Sequence, residues 1–316
     1  MRIRTTFPLE IAALRSFLGN MFTGALGIWL LVCSCSGCAT LNKRRSNDDA
    51  VAAREMTRLG QSAMDGNRWR EAENRFAHAL ELSPDNVTAR RHYAHTLWQL
   101  GRRSDAIEHL SAAVEKSGGD PNWTVELGIM LLAEDQLTGA MAAADRALQV
   151  DNRYAAAWIL RADVLQQQSL YEEALNHYHR ARSLGATDPR MLAKIASIYQ
   201  RQGRPNRVLT TLQRLQDQIG TAEMDAGTLQ RMGLALRGVG RYDEAAETLT
   251  LAHQRNPNDR ELLVELADCQ YRAGQLDNAR SNATAAVRMG SPNEQVRMLL
   301  ARIDTARQEP TTKLVR

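Results

Sequence analysis

Paired histidines are the side chains of this chain that could together ligate a metal ion. His92 and His95 lie one helical turn apart, and His177 and His179 are separated by a single residue. A metal site needs ligands that converge, with a carboxylate or thiolate within reach. Histidine pairs of this kind are more often surface or packing residues than metal ligands. We therefore interpret both pairs as surface or packing histidines.

Signatures of catalysis and nucleotide binding are absent from the sequence. It contains neither Gly-x-x-x-x-Gly-Lys nor Gly-x-Gly-x-x-Gly, no Gly-x-Ser-x-Gly and no His-Glu-x-x-His. Cys269 stands alone inside a predicted helix, which favours a buried, unreactive thiol. We therefore predict that the chain is not an enzyme and has no cofactor and no metal. An enzyme assembled from scattered residues is the disfavoured alternative.

Composition and charge restrict the class further. Hydrophobic residues make up 44% of the 316 residues, enough for a packed core, and aromatic residues only 5%. The abundance of alanine favours close-packed helices over a β-sandwich. The formal net charge is +4, and much of it lies near the N-terminus. Because no arginine stripe with interleaved aromatics occurs, we predict no nucleic-acid partner.

Three further cysteines, Cys33, Cys35 and Cys38, follow an apolar run over residues 21–32. This run is shorter than the about 20 residues that span a bilayer. A basic start, a short apolar run and small residues after it are the layout of a secretory signal.

Ser36-Gly37-Cys38 resembles the cleavage box of bacterial lipoproteins. The resemblance implies that residues 1–37 are a signal peptide and that Cys38 is lipidated after cleavage. Residues 38–52 are then the lipidated cysteine and a polar tether. The protein would be lipid-anchored in the bacterial cell envelope, facing the periplasm. Ala39 in place of aspartate favours the outer over the inner membrane.

Two alternatives to this assignment stay open. Cys35 is a rival lipid acceptor. The apolar segment could also be an uncleaved anchor over residues 11–32, interrupted by Arg15 and Asn20. The basic run Lys43-Arg44-Arg45 would then place the rest of the chain in the cytoplasm as a regulatory adaptor.

Residue columns recur through the chain every 34 residues, with one step of 37. One small-residue column reads Gly60, Ala94, Gly128, Ala162, Ala196, Gly233 and Ala267. Alanine dominates two others, at Ala72, Ala106, Ala140, Ala174, Val208, Ala245 and Ala279, and at Ala79, Ala113, Ala147, Ala181, Leu215, Ala252 and Ala286. A turn column reads Asn67, Gly101, Asp135, Ser169, Gly203, Gly240 and Gly274. Small side chains allow helices to approach closely, and the turn residues tolerate left-handed backbone.

This pattern resembles the tetratricopeptide repeat (TPR), and agreement over seven units makes chance implausible. The resemblance implies an all-α fold, a right-handed α-solenoid of seven TPR helix pairs plus a C-terminal capping helix. The units are predicted over 53–86, 87–120, 121–154, 155–188, 189–225, 226–259 and 260–293, the capping helix over 294–308 and a frayed tail over 309–316. The fifth unit matches least well, so we expect a local change of geometry near residues 205–225.

In this family the first helix of each unit lines the concave groove that holds a partner. We predict that the partner-binding groove of the second to fourth units is lined by Arg91, His95, Trp98, Val125, Ile129, Leu132, Ile159, Asp163 and Gln166. The apolar members of this set indicate a binding surface.

A clamp for a partner's C-terminal carboxylate, known in this family, is rejected. Arg190 and Lys194 match two of its five places, but Val125, Ile129 and Leu160 cannot donate hydrogen bonds. We therefore predict a protein partner that presents an apolar or amphipathic segment. The function predicted is that of a membrane-anchored scaffold for assembly or biogenesis in the envelope.

Overall fold

The computed structural model of the chain describes residues 47–290 and 294–308. Within these ranges the chain forms α-helices, short turns and one 3-10 turn, with no strand. The predicted signal peptide, Cys38 and its rival Cys35, the start of the tether and the tail over 309–316 lie outside the described residues. Among the helices that are described, none combines the length and the apolar character needed to cross a membrane.

The helices follow one another as seven pairs and a final single helix. The first helices are α1 (47–65), α3 (Val87–Gln99), α5 (Pro121–Ala133), α7 (Ala155–Gln167), α9 (Pro189–Arg201), α11 (Ala226–Gly238) and α13 (Arg260–Arg272). The second helices are α2 (Trp69–Leu82), α4 (Arg103–Lys116), α6 (Leu137–Val150), α8 (Tyr171–Ser183), α10 (Pro205–Ile219), α12 (Tyr242–Arg255) and α14 (Leu276–Arg288). The last helix is α15 (Glu294–Gln308).

The chain divides into two compact units, one up to Trp123 and one from Thr124 onward. In the N-terminal unit, Phe76 packs on Ala63 and Ala72 between the helices of the first pair. In the C-terminal unit, one apolar cluster extends from Ala162 to Cys269. The amphipathic helix α15 covers the last pair by packing Leu299 and Ile303 against its alanines, as a capping helix should.

The turn inside each pair is fixed by one residue with left-handed backbone. All seven residues of the predicted turn column have positive φ, from 55° at Asn67 to 82° at Gly101. At Gly101, the N–H of Arg102 donates to Leu97 O at 2.9 Å and that of Gly101 to Trp98 O at 3.1 Å. This is the Schellman arrangement, which satisfies the last carbonyls of the first helix. The turn column is therefore confirmed.

Four of the first helices begin at side-chain caps. Asn86, Asp188, Asp225 and Asp259 each accept a backbone N–H from the first turn of the helix that follows. Helix α7 is an exception, because its N-cap residue Tyr154 makes no side-chain cap hydrogen bond.

The small-residue column marks the closest approach of helices. A Cβ on Gly60 would lie 2.6 Å from Phe76 Cε1, and one on Gly233 would lie 2.6 Å from Leu249 Cγ. Ala94, Ala162, Ala196 and Ala267 are fully buried. Any larger side chain would overpack these contacts.

The three additional residues of the fifth unit form a turn of their own. Gly220 has a φ of 78°, residues Thr221–Glu223 form the 3-10 turn, and Met224 is buried. Val208 and Leu215, which replace alanines, are also buried. The insertion is therefore a packed connection between α10 and α11.

The tether is shorter than predicted, because residues 47–52 belong to α1. Asp48 and Asp49 suit the start of a helix, whose N-terminal dipole favours negative charge. Ala53, the first residue of the predicted repeat, is buried. The periodic columns start only at Gly60, so they gave no signal for this earlier turn.

Candidate functional site

First helices of neighbouring pairs contact each other through polar side chains in the C-terminal unit. Lys194 Nζ lies 2.7 Å from Asp163 Oδ2, between α7 and α9. Arg231 Nε donates to Gln200 Oε1 at 2.9 Å, and Gln230 Nε2 to Glu265 Oε2 at 2.7 Å. We call the side of α5, α7, α9, α11 and α13 that carries these polar side chains the first-helix surface. The groove positions predicted on α5 and α7 belong to these helices, whereas those predicted on α3 belong to the N-terminal unit.

In the N-terminal unit the predicted groove residues are half-buried. The Arg91 guanidinium lies 5.4 Å from the ring centroid of Trp123, and that of Arg103 lies 4.7 Å from the Trp98 ring. His95 is half-buried as well. Cation–π contacts of this kind hold the tryptophan rings against the protein, so little of their area is open.

Val125 corrects the predicted groove, because it is buried and packs with Ala144 and Leu160. It is packed among residues of α6 and α7 and is not open on the first-helix surface. Leu132 and Ile159 are half-buried at the edges of apolar clusters. Ile129 alone among the apolar members is open, with 53% of its surface exposed.

Asp163 and Gln166 are engaged inside the protein. The Tyr178 hydroxyl of α8 donates to Asp163 Oδ1, and its oxygen lies 2.8 Å from Gln166 Oε1. Burial and the Asp163 charge raise the pKa of Tyr178 well above its usual range, so the phenol stays protonated. With Lys194 on its other oxygen, Asp163 joins three helices and has little capacity left for a partner.

A cavity of about 460 Å³ opens on the first-helix surface at α11, α13 and α15. Its apolar lining comes from Val264, Leu299 and Met298, the last of which is 50% exposed. Its charged lining comes from Arg237, Glu265, Asp268, Arg272 and Arg302. A cavity of this size with mixed lining can hold a few side chains of an amphipathic segment.

Positive charge is in excess in this cavity. Asp268 Oδ2 lies 3.0 Å from Arg272 Nε and 3.6 Å from Arg237 Nη1, so one carboxylate serves two guanidiniums. Arg302 makes no ion pair with any described residue. Burial raises the pKa of Glu265, although its hydrogen bond from Gln230 acts in the opposite direction. The cavity therefore suits a segment with apolar and acidic side chains.

Met298 and Arg302 were missed as site residues because the capping helix was interpreted as a cover alone. Its amphipathic pattern does place Val296, Leu299 and Ile303 in the core. Its exposed face borders α13, and the sequence offers one signal for this. Arg237, Val264 and Asp268 occupy groove columns in the last two pairs, and α15 follows these pairs along the chain.

The other candidate residues have structural roles. The rings of His92 and His177 stack on Phe76 and Trp158, at centroid distances of 5.7 and 5.2 Å. Cys269 is buried, and this burial raises the pKa of its thiol to about 11. Within residues 47–290 and 294–308, no three side chains of His, Cys, Asp or Glu are grouped to hold a metal ion.

Comparisons with known proteins agree with this geometry. One family model described as tetratricopeptide repeat matches residues 57–122 and 94–156, and a second with the same description matches 236–303. Together the matches cover just over half of the chain. No curated protein matches the sequence.

Solved structures show the same fold at low identity. The PilF structure, described as a functional characterisation of the Pseudomonas aeruginosa protein, is 15% identical with a TM-score of 0.61, covering 71% of this chain and 99% of its own. PilW, described as a widely conserved type IV pilus biogenesis factor, is 19% identical with a TM-score of 0.59, covering 66% and 96%. YrrB, described as a TPR protein with an unusual peptide-binding site, is 20% identical with a TM-score of 0.54, covering 63% and 99%.

Proposed function

Since the chain belongs to the tetratricopeptide-repeat family, we propose that it is a non-enzymatic scaffold that binds a protein partner on its first-helix surface. Repeats of this family are protein-interaction modules. The partner contributes an amphipathic segment, with apolar and acidic side chains.

The cavity between α11, α13 and α15 is the observation that carries this proposal. It combines the exposed thioether of Met298 with the guanidinium of Arg302, which forms no ion pair with the residues that the structure describes. Ile129, in the column that holds Asp163 in α7 and Asp268 in α13, extends the same surface toward earlier pairs. Solvent-exposed apolar groups beside charged ones are typical of interaction surfaces.

Two of the similar structures support the class of function. A peptide-binding site is described for YrrB, and pilus biogenesis for PilW. We propose by analogy that this chain is an assembly or biogenesis factor of the bacterial envelope. The analogy extends to the kind of process and not to a particular partner.

A substitution at Met298 tests partner binding. Met298→Asp places a charge in the cavity, and Met289→Asp is its control, because Met289 is also exposed (42%) but lies at the end of α14, outside the cavity. We expect crosslinking and pull-down from cells to recover a partner with the wild type and the control, and to lose it with Met298→Asp. A partner retained equally by both folded variants would contradict the proposal.

Membrane attachment through Cys38 is a second part of the proposal, and it is supported by the lipobox resemblance alone. We expect the wild type to fractionate with membranes and Cys38→Ser to lose both the lipid mass and the attachment. Cys35→Ser is the control and should leave both unchanged. Attachment that survives Cys38→Ser, with repeats protected from protease in intact spheroplasts, would favour the uncleaved anchor and a cytoplasmic adaptor.

A further inference from the structure

A second cavity, of about 420 Å³, lies among α8, α9 and α10 of the C-terminal unit, and its lining is basic. Arg182 comes from α8, and Arg207 and Arg214 come from α10. His179, Tyr199 and Asn206 complete the polar lining used below, and no carboxylate contributes to it. The arginines belong to second helices, so this cavity is separate from the first-helix surface.

The three arginines are exposed and are not paired with a carboxylate within the described residues. None of them forms an ion pair there, whereas Arg204, which directly precedes α10, pairs with Glu172 at 3.0 Å. Arg207 makes one contact of another kind, with its guanidinium 5.8 Å from the Tyr199 ring centroid. Three neighbouring cations without an anion repel one another, and a bound anion would relieve that repulsion.

His179 lines the cavity and is affected by the positive charge of the same three arginines. Its pKa is lowered first by burial and then by the charges of Arg182, Arg207 and Arg214. Its Nε2 atom lies 3.1 Å from the Tyr199 hydroxyl oxygen, while Nδ1 is buried without a hydrogen-bond partner. The lowered pKa favours the neutral ring, so the excess positive charge of the cavity comes from its arginines.

We propose that this cavity binds the phosphate group of a phosphorylated ligand. Guanidinium forks match phosphate oxygens, and a phosphate dianion opposes three cations better than one carboxylate does. The hydroxyls of Thr210 and Thr211 donate to helix carbonyls, so the guanidiniums and the Asn206 amide remain as donors to the anion. The volume exceeds that of orthophosphate alone, which fits a phosphate ester with part of its attached group.

A titration of the purified full chain in detergent with inorganic pyrophosphate tests the proposal. The double variant Arg207→Gln, Arg214→Gln should bind about tenfold or more weakly than the wild type, because it loses two charge-assisted donors. Its control is Arg146→Gln, Arg180→Gln, which removes two exposed cations that do not line the cavity. The control should change the affinity by less than about twofold, since it alters only the overall charge.

A second pair of variants keeps all arginines in place. Thr210→Glu puts a carboxylate into the cavity and should abolish binding, whereas Gln213→Glu on the same helix lies outside the lining and should not. A soluble short-chain phosphatidic acid distinguishes the source of the phosphate. Tighter binding than pyrophosphate would indicate a lipid headgroup, and weaker binding a free phosphate ester. No saturable binding, or equal loss in each variant and its control, would overturn the proposal.

Discussion

At the residue scale, Asp163 illustrates how a polar side chain can be mistaken for a binding residue. Its position in the repeat is one that faces a partner in this family. In this chain the carboxylate accepts from Tyr178 on one side and pairs with Lys194 at 2.7 Å on the other. A buried acceptor that loses one of its donors is costly, so its role is structural.

The hydrogen bond of Tyr178 can be tested by removing the hydroxyl. We expect Tyr178→Phe to lower the free energy of unfolding by about 1–3 kcal/mol, since Asp163 would keep its charge and lose a donor. The measurement is urea unfolding. Tyr171→Phe is the control, because its hydroxyl is exposed and lies 3.4 Å from Ser169 Oγ, and it should be nearly neutral. Equal effects would contradict a special role for Tyr178.

Among the described residues, Ser169 is one of three other than glycine in left-handed backbone, with φ of 63°. The left-handed region is strained for a residue with a Cβ. We expect Ser169→Gly to raise the free energy of unfolding by about 0.5–1 kcal/mol, the relieved strain less the entropy that glycine costs. Ser169→Ala keeps the Cβ and should give no gain. A loss of stability in Ser169→Gly would show that the serine hydroxyl matters more than the backbone.

At the element scale, the recurring columns determine most of the helix boundaries. The turn residue and the small residues recur at a fixed spacing, and each acts within its own helix pair, so one sequence is enough to locate them. The burial of Val125 depends on its contacts with Ala144 and Leu160, which come from two other helices. A single column contains no information about such contacts, and for this reason the groove was predicted less well than the helices.

A substitution at Gly60 tests the small-residue column, because the neighbouring side chain there is a rigid, buried aromatic ring. A Cβ there would lie within 2.9 Å of three atoms of the fully buried Phe76 ring. We expect Gly60→Ala to destabilise the protein by about 1–3 kcal/mol by overpacking. Gly139→Ala is the matched control, because its Cβ would meet only Leu131 side-chain atoms, the nearest at 3.3 Å. An unchanged unfolding midpoint for Gly60→Ala would contradict the packing argument.

At the scale of the whole molecule, the chain is a series of helix pairs that pack through columns of small apolar residues. The positions that we propose for binding are exposed side chains outside these columns. The cavity at α11, α13 and α15 includes four residues of α15, and the register of this helix against α13 cannot be inferred from the repeat spacing. The basic cavity likewise requires side chains of α8 and α10 to meet across two pairs.

If the partner segment extends beyond the cavity, Ile129 contributes to the same interaction. We expect Ile129→Asp to weaken partner recovery in pull-down by roughly tenfold or more, because burial of one such apolar side chain contributes about 1.5–3 kcal/mol. Val150→Asp is the control, since Val150 is 60% exposed and ends the second helix α6. Recovery unchanged in Ile129→Asp would limit the interaction to the later pairs.

The central claim, that a protein partner occupies the first-helix surface, is tested most directly by photo-crosslinking in living cells. A photoreactive amino acid is placed at position 298, inside the cavity, or at position 289, outside it. We predict a crosslinked adduct of one discrete mass from position 298 and none from position 289. Adducts of equal yield from both positions, or from position 289 alone, would contradict the claim.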